Sequence, residues 1–365
     1  MIHTVETCRD IYNTALEQRV MLYRDRKKNI SCYEQINQMK DAVPCDECLI
    51  AVHSQVRQDV IRRVDKAYKA FFRRCANGDK PGFPRYKGKD RYHSFTYPQS
   101  GFAILPGRGK HSKLKLSKIG SLEMRYHREI PDEACIKTCT IVRNNEKWYV
   151  CFSLILPDVE PLADIGQPVG IDVGLEYFAS LSGGGRITNP RYYQQAEEKL
   201  KVEQQRLSRK EKGSNNRRKQ VKRVAVVHES VANKRNDYLH KVARQTVDIY
   251  PYIRVESLNI RNMLKNHRLA KSIADAGWGR FMNLLVCKAE EAGKRVEFVN
   301  PAGTSQTCPA CGERVEKDLS VRTHICQACG FVAPRDIASA MVISFRAGNA
   351  RSACRELSLA GSSTL

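Results

Sequence analysis

The chain has 365 residues, 62 of them Lys or Arg and 39 Asp or Glu, giving a formal net charge of +23 with 42% hydrophobic residues. That apolar content excludes an intrinsically disordered chain, and the length holds two or three compact units. The longest apolar-rich run, Tyr149–Leu156, is too short to cross a bilayer, and the opening MIHTVETCRD is too polar for a secretory signal. A cytoplasmic, strongly basic protein is expected, and so large a charge points to a polyanion.

Helical spacing runs from Cys8 to Asp25 and from Glu47 to Cys75. In the second segment Val56, Val60, Val64, Tyr68 and Phe72 recur every four residues and predict a core stripe. Arg57, Arg62, Arg63, Lys66, Arg73 and Arg74 lie on the other faces. In the following KPGFPRYKGKDRYHSFTYPQ, Phe83, Tyr86, Tyr92, Phe95 and Tyr97 alternate with Lys80, Arg85, Lys87, Lys89 and Arg91. Rings of this kind stack on bases while the cations track phosphates; the plainer reading is a surface loop with packed aromatics. From about Ser94 to Leu156, short β-rich segments with Gly and Pro turns suggest a small barrel.

The segment QPVGIDVGL reads as a buried strand carrying Asp172, followed by EYFASLSGGG as a second strand and turn. A lone buried carboxylate is costly, which makes Asp172 hard to dismiss, and the flanking glycines would leave room for a phosphate backbone. Between Gln195 and Gln245 fifteen Lys and Arg face six Asp and Glu, so nine of the 23 excess positive charges sit in one stretch. It reads as a long helix pair whose buried stripe is Val224, Val227, Val231, Tyr238 and Val242. Lys234, Arg235, Lys241 and Arg244 are left for a polyanion, beside the basic run of Arg217, Arg218, Lys219, Lys222 and Arg223. Membrane binding would require an apolar face opposite the charge, which this segment lacks, so nucleic acid is the expected partner. His228 reads as an ordinary polar helix residue.

YIRVESL is a further apolar strand with Glu256 near its end, and Asp336 follows Pro334-Arg335 at the head of the amphipathic IASAMVISF. Taken singly, Glu256 reads as a surface residue and Asp336 as a helix cap. Taken together with Asp172, three acids on separate elements can converge on divalent cations, and two Mg²⁺ so held would promote phosphodiester hydrolysis.

Of the 14 cysteines, eight are scattered and read as buried apolar residues or free thiols. Cys45 and Cys48 have metal-like spacing but no second pair nearby. Cys308-Pro-Ala-Cys311-Gly and Cys326-Gln-Ala-Cys329-Gly, fourteen residues apart, present four thiolates to one tetrahedral Zn²⁺. With no open position that zinc is structural, and His324 is not needed. The intervening GERVEKDLSVRTHI is expected to form a hairpin, as in a zinc ribbon.

The ordered set GIDVGLEYFASL, HESVANKRNDYLHKVA, RVESLNIRNM, NPAGTSQTCPACG and PRDIASAMVI resembles the TnpB (OrfB) proteins of bacterial insertion sequences, relatives of the type V CRISPR effectors. CRDIYNTALEQR and GFPRYK extend the resemblance over nearly the whole chain. It implies a multidomain α/β protein with an RNase H-like (RuvC) nuclease, whose metal-binding acids are Asp172, Glu256 and Asp336. It also implies an RNA-guided DNA endonuclease with guide RNA and target DNA as partners and no membrane. The alternatives are a nuclease-inactive relative that binds RNA and DNA, or a DNA-binding transposase accessory protein.

The domains expected are a helical recognition region at 1–90, a wedge barrel at 91–165 and a RuvC-like nuclease at 166–300 with a basic insertion near 190–245. The ribbon at 301–331, a last RuvC-like helix at 332–347 and a flexible tail at 348–365 complete the chain. Arg57, Arg85, Tyr86, Lys87, Arg217, Arg218, Lys219, Lys222, Arg223 and Arg235 are the nucleic-acid contacts expected. Two features depart from the family pattern: Ala338 stands where its last motif has Asn, removing a possible hydrogen bond beside Asp336, and the basic strand before the Cys8 helix is shortened or absent.

Overall fold

The structure, a computed structural model, describes residues 1–350 except 90, 106, 108–110, 163–165 and 319. The chain divides into two compact units, Met1–Pro157 and Asp158–Leu365. No helix among the described residues is long and apolar enough to cross a membrane.

The first unit opens with helices α1 (Ile2–Arg26), α2 (Cys32–Ala42), α3 (Glu47–Ile50) and α4 (Ser54–Ala76). Ser31 and Glu34 form a reciprocal capping box that starts α2. The helix expected over 47–75 is interrupted at 51–53, so its long part begins at Ser54. Val56, Val60 and Val64 are fully buried, but the stripe then runs out of partners: Phe72 is 59% exposed, contrary to its expected place in the core. Arg63, expected on an outer face, donates from Nε to Asp59 and from its terminal nitrogens to Ser94 O and Thr96 Oγ1, tying α4 to the first strand.

Six strands follow: β1 (Ser94–Tyr97), β2 (Phe102–Leu105), β3 (His111–Leu116), β4 (Gly120–Arg125), β5 (Cys135–Asn144) and β6 (Lys147–Ile155). They pair antiparallel as two three-stranded sheets, β1-β5-β6 and β2-β3-β4. Their inward faces join the helices in one core that includes Cys8, Leu16, Val60, Phe95, Tyr97 and Cys139.

The second unit contains β7 (Val169–Val173), β8 (Tyr177–Leu181), β9 (Arg186–Thr188), α5 (Tyr192–Ser208), α6 (Asn215–Ile249) and β10 (Tyr252–Glu256). It continues through α7 (Ile260–Met263), α8 (Ala270–Ala276), α9 (Trp278–Glu291), β11 (Arg295–Val299), β12 (Thr323–Ile325), β13 (Val332–Pro334), α10 (Arg335–Phe345) and β14 (Gly348–Ala350). A six-stranded sheet has the order β14-β11-β10-β7-β8-β9, with β7, β10 and β11 parallel at its centre. A flexible tail is expected from 348, yet 348–350 pair with β11; the rest of that tail, 351–365, lies outside the described residues.

Alternation along the central strands sorts their side chains. Val169, Ile171, Ile253, Val255, Val296 and Phe298 belong to a core shared with Leu239, Val242 and Val247 of α6 and Phe281 and Leu285 of α9. The opposite face carries Gly170, Asp172, Arg254 and Glu256, and receives α10. Gly170 explains how closely the helix seats: a Cβ there would stand 1.9 Å from the Ala340 carbonyl oxygen. This glycine therefore admits a helix, not the phosphate backbone that the sequence suggested.

Candidate active site and zinc centre

Ile171 pairs with Val255 in the parallel ladder, so the next residues, Asp172 and Glu256, lie side by side on one face. Asp336 sits in the first turn of α10, one turn before the Ala340 that rests on Gly170. Strand register and helix seating thus bring the three expected acids to one end of the sheet. The cap of α10 is Pro334 rather than Asp336, and Glu256 is 8% exposed rather than a surface residue.

The electrostatics separate these acids from a structural neighbour. Burial, then Glu256 and Asp336, raise Asp172 well above the usual carboxylate range, with Arg335 opposing. Burial also raises Glu256, against a hydrogen bond from Thr304 and the charge of Arg346. Glu297, on the same side of the sheet, differs. Burial alone would raise it, but Tyr252 and Arg254 donate to its carboxylate and hold it below the usual range. Arg335 Nε donates to Asp336 Oδ1 at 3.2 Å. Ala338 is buried and offers no polar atom beside it.

Sequence reasoning missed Thr304, Arg335 and Arg346. Thr304 Oγ1 donates to Glu256, and Arg346 holds the same loop through the carbonyls of Asn300 and Ala302 at 2.9 and 2.7 Å. Nothing in the residue types of NPAGTSQTCPACG marks Thr304, because its partner Glu256 lies on a distant strand.

The four cysteines converge. Cys308 and Cys329 sulfurs are 3.6 Å apart, as are those of Cys311 and Cys326, and all four lie within 4.8 Å of one another. Four thiolates at about 2.3 Å from one tetrahedral Zn²⁺ stand about 3.8 Å apart, so the quartet fits that ion. Within the quartet the thiols shift apart: against burial, backbone N–H groups of Cys311 and Ala310 lower Cys308 to about 7, whereas Cys311 and Cys329 are raised beside the neighbouring sulfurs, so the fit to the ion rests on the geometry. Among the described residues this is the only group of three or more His, Cys, Asp or Glu packed so tightly; the three carboxylates are more widely set.

Pairing differs from the hairpin expected across GERVEKDLSVRTHI. One bridge, Thr307 to Arg314, flanks the first cysteine pair, and β12 with β13 flanks the second. Each pair thus sits in its own tight knuckle. His324 is buried with its Nδ1 against Lys317, outside the sulfur cluster. Every cysteine among the described residues is a free thiol.

The expected nucleic-acid residues split into two groups. Arg57 donates to Leu49 O, Arg217 closes the α5–α6 turn through Leu207 O and Lys210 O, and Arg235 donates to Ala274 O near Asp275. These three hold backbone together. Arg218, Lys219, Lys222 and Arg223 are exposed along one stretch of α6, and Arg85 and Tyr86 are exposed too. Lys87 Nζ lies over the Tyr12 ring. His228 is an exposed helix residue.

A "Putative RNA-guided DNA endonuclease" of Streptomyces pristinaespiralis is 32% identical over 352 residues, covering 94% of this chain and 84% of the relative. The chain belongs to the TnpB (OrfB) family. A second TnpB-type relative, "Putative RNA-guided DNA endonuclease InsQ" of Escherichia coli K12, is 32% identical over 324 residues, 84% of this chain and 78% of the other. Residues 141–267 match the family described as "Probable transposase", and residues 278–343 match the "Cas12f1-like, TNB domain". The latter span α9, both cysteine pairs and Asp336. The fold resembles Cas12f1 in the cryo-EM structure of its complex with sgRNA and target DNA, at a TM-score of 0.62 and 15% identity over 94% of this chain and 81% of that one.

Proposed function

We propose that the chain is an RNA-guided, Mg²⁺-dependent DNA endonuclease of the TnpB type. The second unit is then a RuvC-like nuclease with an inserted zinc ribbon, and the first unit holds the helical recognition region and the wedge barrel. The observation that carries the catalytic part is the meeting of Asp172, Glu256 and Asp336 on one face of a central parallel pair, two of them raised by burial and not neutralised as Glu297 is.

Such a carboxylate set suits hard dications, which accept oxygen ligands and relieve the acids' mutual repulsion. Two bound Mg²⁺ would supply a water of lowered pKa and neutralise charge on the leaving 3′-oxygen. The chain's own residues fix where the acids stand: Gly170 sets the depth of α10, the β7–β10 register pairs Asp172 with Glu256, and Arg335 restrains Asp336. The second reading, guided binding without cutting, draws on Ala338, which is buried where the family pattern has Asn. Cleavage of DNA matched to the bound guide, beside unmatched DNA, separates the two.

The exposed basic stretch of α6 is assigned to nucleic acid. Lys219→Glu combined with Arg223→Glu, one turn apart, is expected to weaken binding of guide RNA. The slope of log K against log salt should fall by about 0.7 for each phosphate of single-stranded RNA that is no longer neutralised. Filter binding from low to high salt measures both; an unchanged slope would mean that this face is merely solvated.

A further inference from the structure

The loop that leads into the first cysteine knuckle runs from Asn300 to Thr307, and it touches the acid cluster. Thr304 is 5% exposed, and its hydroxyl lies against two acceptors, the Glu256 carboxylate and, at 3.0 Å, the Pro301 carbonyl. A hydroxyl has one proton to donate. The ionised carboxylate is the stronger acceptor, so Thr304 holds one oxygen of Glu256 in a fixed direction whenever that acid is charged. Glu256 ends its strand, and its backbone register does not by itself decide the rotation of the carboxylate.

The loop is itself held. Arg346, just past α10, donates to the carbonyls of Asn300 and Ala302 and reaches Thr307 Oγ1 at 3.5 Å. Cys308 follows at once, its backbone N–H bonded to Glu313 O at 2.8 Å. Thr304 thus stands on a short segment fixed at one end by Arg346 and at the other by the cysteine knuckle.

We propose that Thr304 is a positioning residue for divalent-cation binding, orienting the Glu256 carboxylate from the base of the zinc knuckle. The proposal rests on the reading that Asp172, Glu256 and Asp336 form a divalent site. The four-cysteine centre then serves the acid cluster as well as its own local fold, because it anchors the segment that carries the donor. Removing a hydrogen-bond partner of a metal ligand lowers metal affinity about 10- to 100-fold.

The test is titration of the full-length, zinc-loaded protein with Mn²⁺, read as free Mn²⁺ by electron paramagnetic resonance. Thr304→Val keeps the shape and removes the donor; Thr304→Ser keeps the donor. Thr304→Val is expected to weaken Mn²⁺ binding at least about tenfold, and Thr304→Ser to stay within about twofold of the parent. Zinc content and melting temperature should remain near the parent's. Should Thr304→Val fail to fold, Thr304→Ala carries the same comparison. Donor-less variants that bind Mn²⁺ as tightly as the parent would overturn the proposal. Asp172→Asn runs alongside: if the parent binds Mn²⁺ no better than this variant, it is the divalent-site reading that fails, not the role of Thr304 within it.

Discussion

Asp172→Asn is expected to lower guide-dependent DNA cutting at least about a thousandfold, equivalent to ~4 kcal/mol of transition-state stabilisation, while leaving RNA and target binding intact. The amide has the same shape but no charge, and two dications cannot be held close together without it. The same substitution should make the metal-free protein more stable. Burial, with Glu256 and Asp336, raises Asp172 in the native state, whereas in the unfolded chain it ionises near 3.9.

The sign follows from linkage. The native protein keeps this proton longer than the unfolded chain does. Its contribution to stability is present below the unfolded pKa and is lost as pH rises through the raised native value. At neutral pH in EDTA, Asp172→Asn removes that penalty, so melting should rise by a few degrees, on the order of 1 kcal/mol. Mg²⁺ or Ca²⁺ should then raise the melting temperature of the parent but not of the variant. Cutting by the parent should fall as pH drops, because protons compete with cations for the raised acids. Single-turnover cleavage and thermal melts with and without divalent ions measure all of these; equal melting of parent and variant in EDTA would show that the Asp172 charge is not under strain.

The second large effect concerns zinc. Purified protein is expected to carry one Zn²⁺ per chain, and Cys308→Ser to lose it. The sulfurs, 3.6 Å apart across the two knuckles and all within 4.8 Å of one another, cluster where one ion would tie the knuckles together. Only one isolated bridge and one three-residue ladder pair its backbone as strands among the described residues, and structural zinc contributes ~10–16 kcal/mol to the folding of comparable peptides. The variant should therefore expose residues 301–331 to proteolysis and lower the melting temperature. Cys45→Ser should change neither, because Cys45 and Cys48 are exposed and lie outside the sulfur cluster. Metal analysis with limited proteolysis reads the outcome, and folded protein free of zinc would refute the centre.

How much of this was legible in the sequence depended on the range of the interaction. The cysteine pairs were, because ligand spacing within a knuckle is local, and so was the buried strand around Asp172. The meeting of the three acids is allowed by spacing and implied by family resemblance, but spacing leaves open a surface Glu256 and a capping Asp336. Both alternatives fell to contacts far apart in sequence: the β7–β10 register, and the seating of α10 on Gly170.

The same limit explains the errors. Phe72 keeps the four-residue period of α4 but projects beyond its packing partners. Arg217 reads as one more cation in a basic run, yet it closes the turn between two helices. The likeness to a zinc ribbon predicts a hairpin between the cysteine pairs, while the ladder forms around the second knuckle. Thr304 carried no signal by residue type, since its role depends on a carboxylate 48 residues away.

Cutting by this acid cluster is expected to be directed by a bound RNA. The most direct test supplies the protein with a guide RNA carrying a chosen target segment, adds Mg²⁺, and offers two plasmids that differ only in whether they contain the match beside a randomised flanking library. The expected result is cutting of the matched plasmid alone, with 5′-phosphate ends, transfer of cutting to the second plasmid when the guide segment is exchanged, and none with Asp172→Asn or Asp336→Asn. Matched DNA that is bound but left intact by the parent protein, or cut equally without a guide, would contradict it.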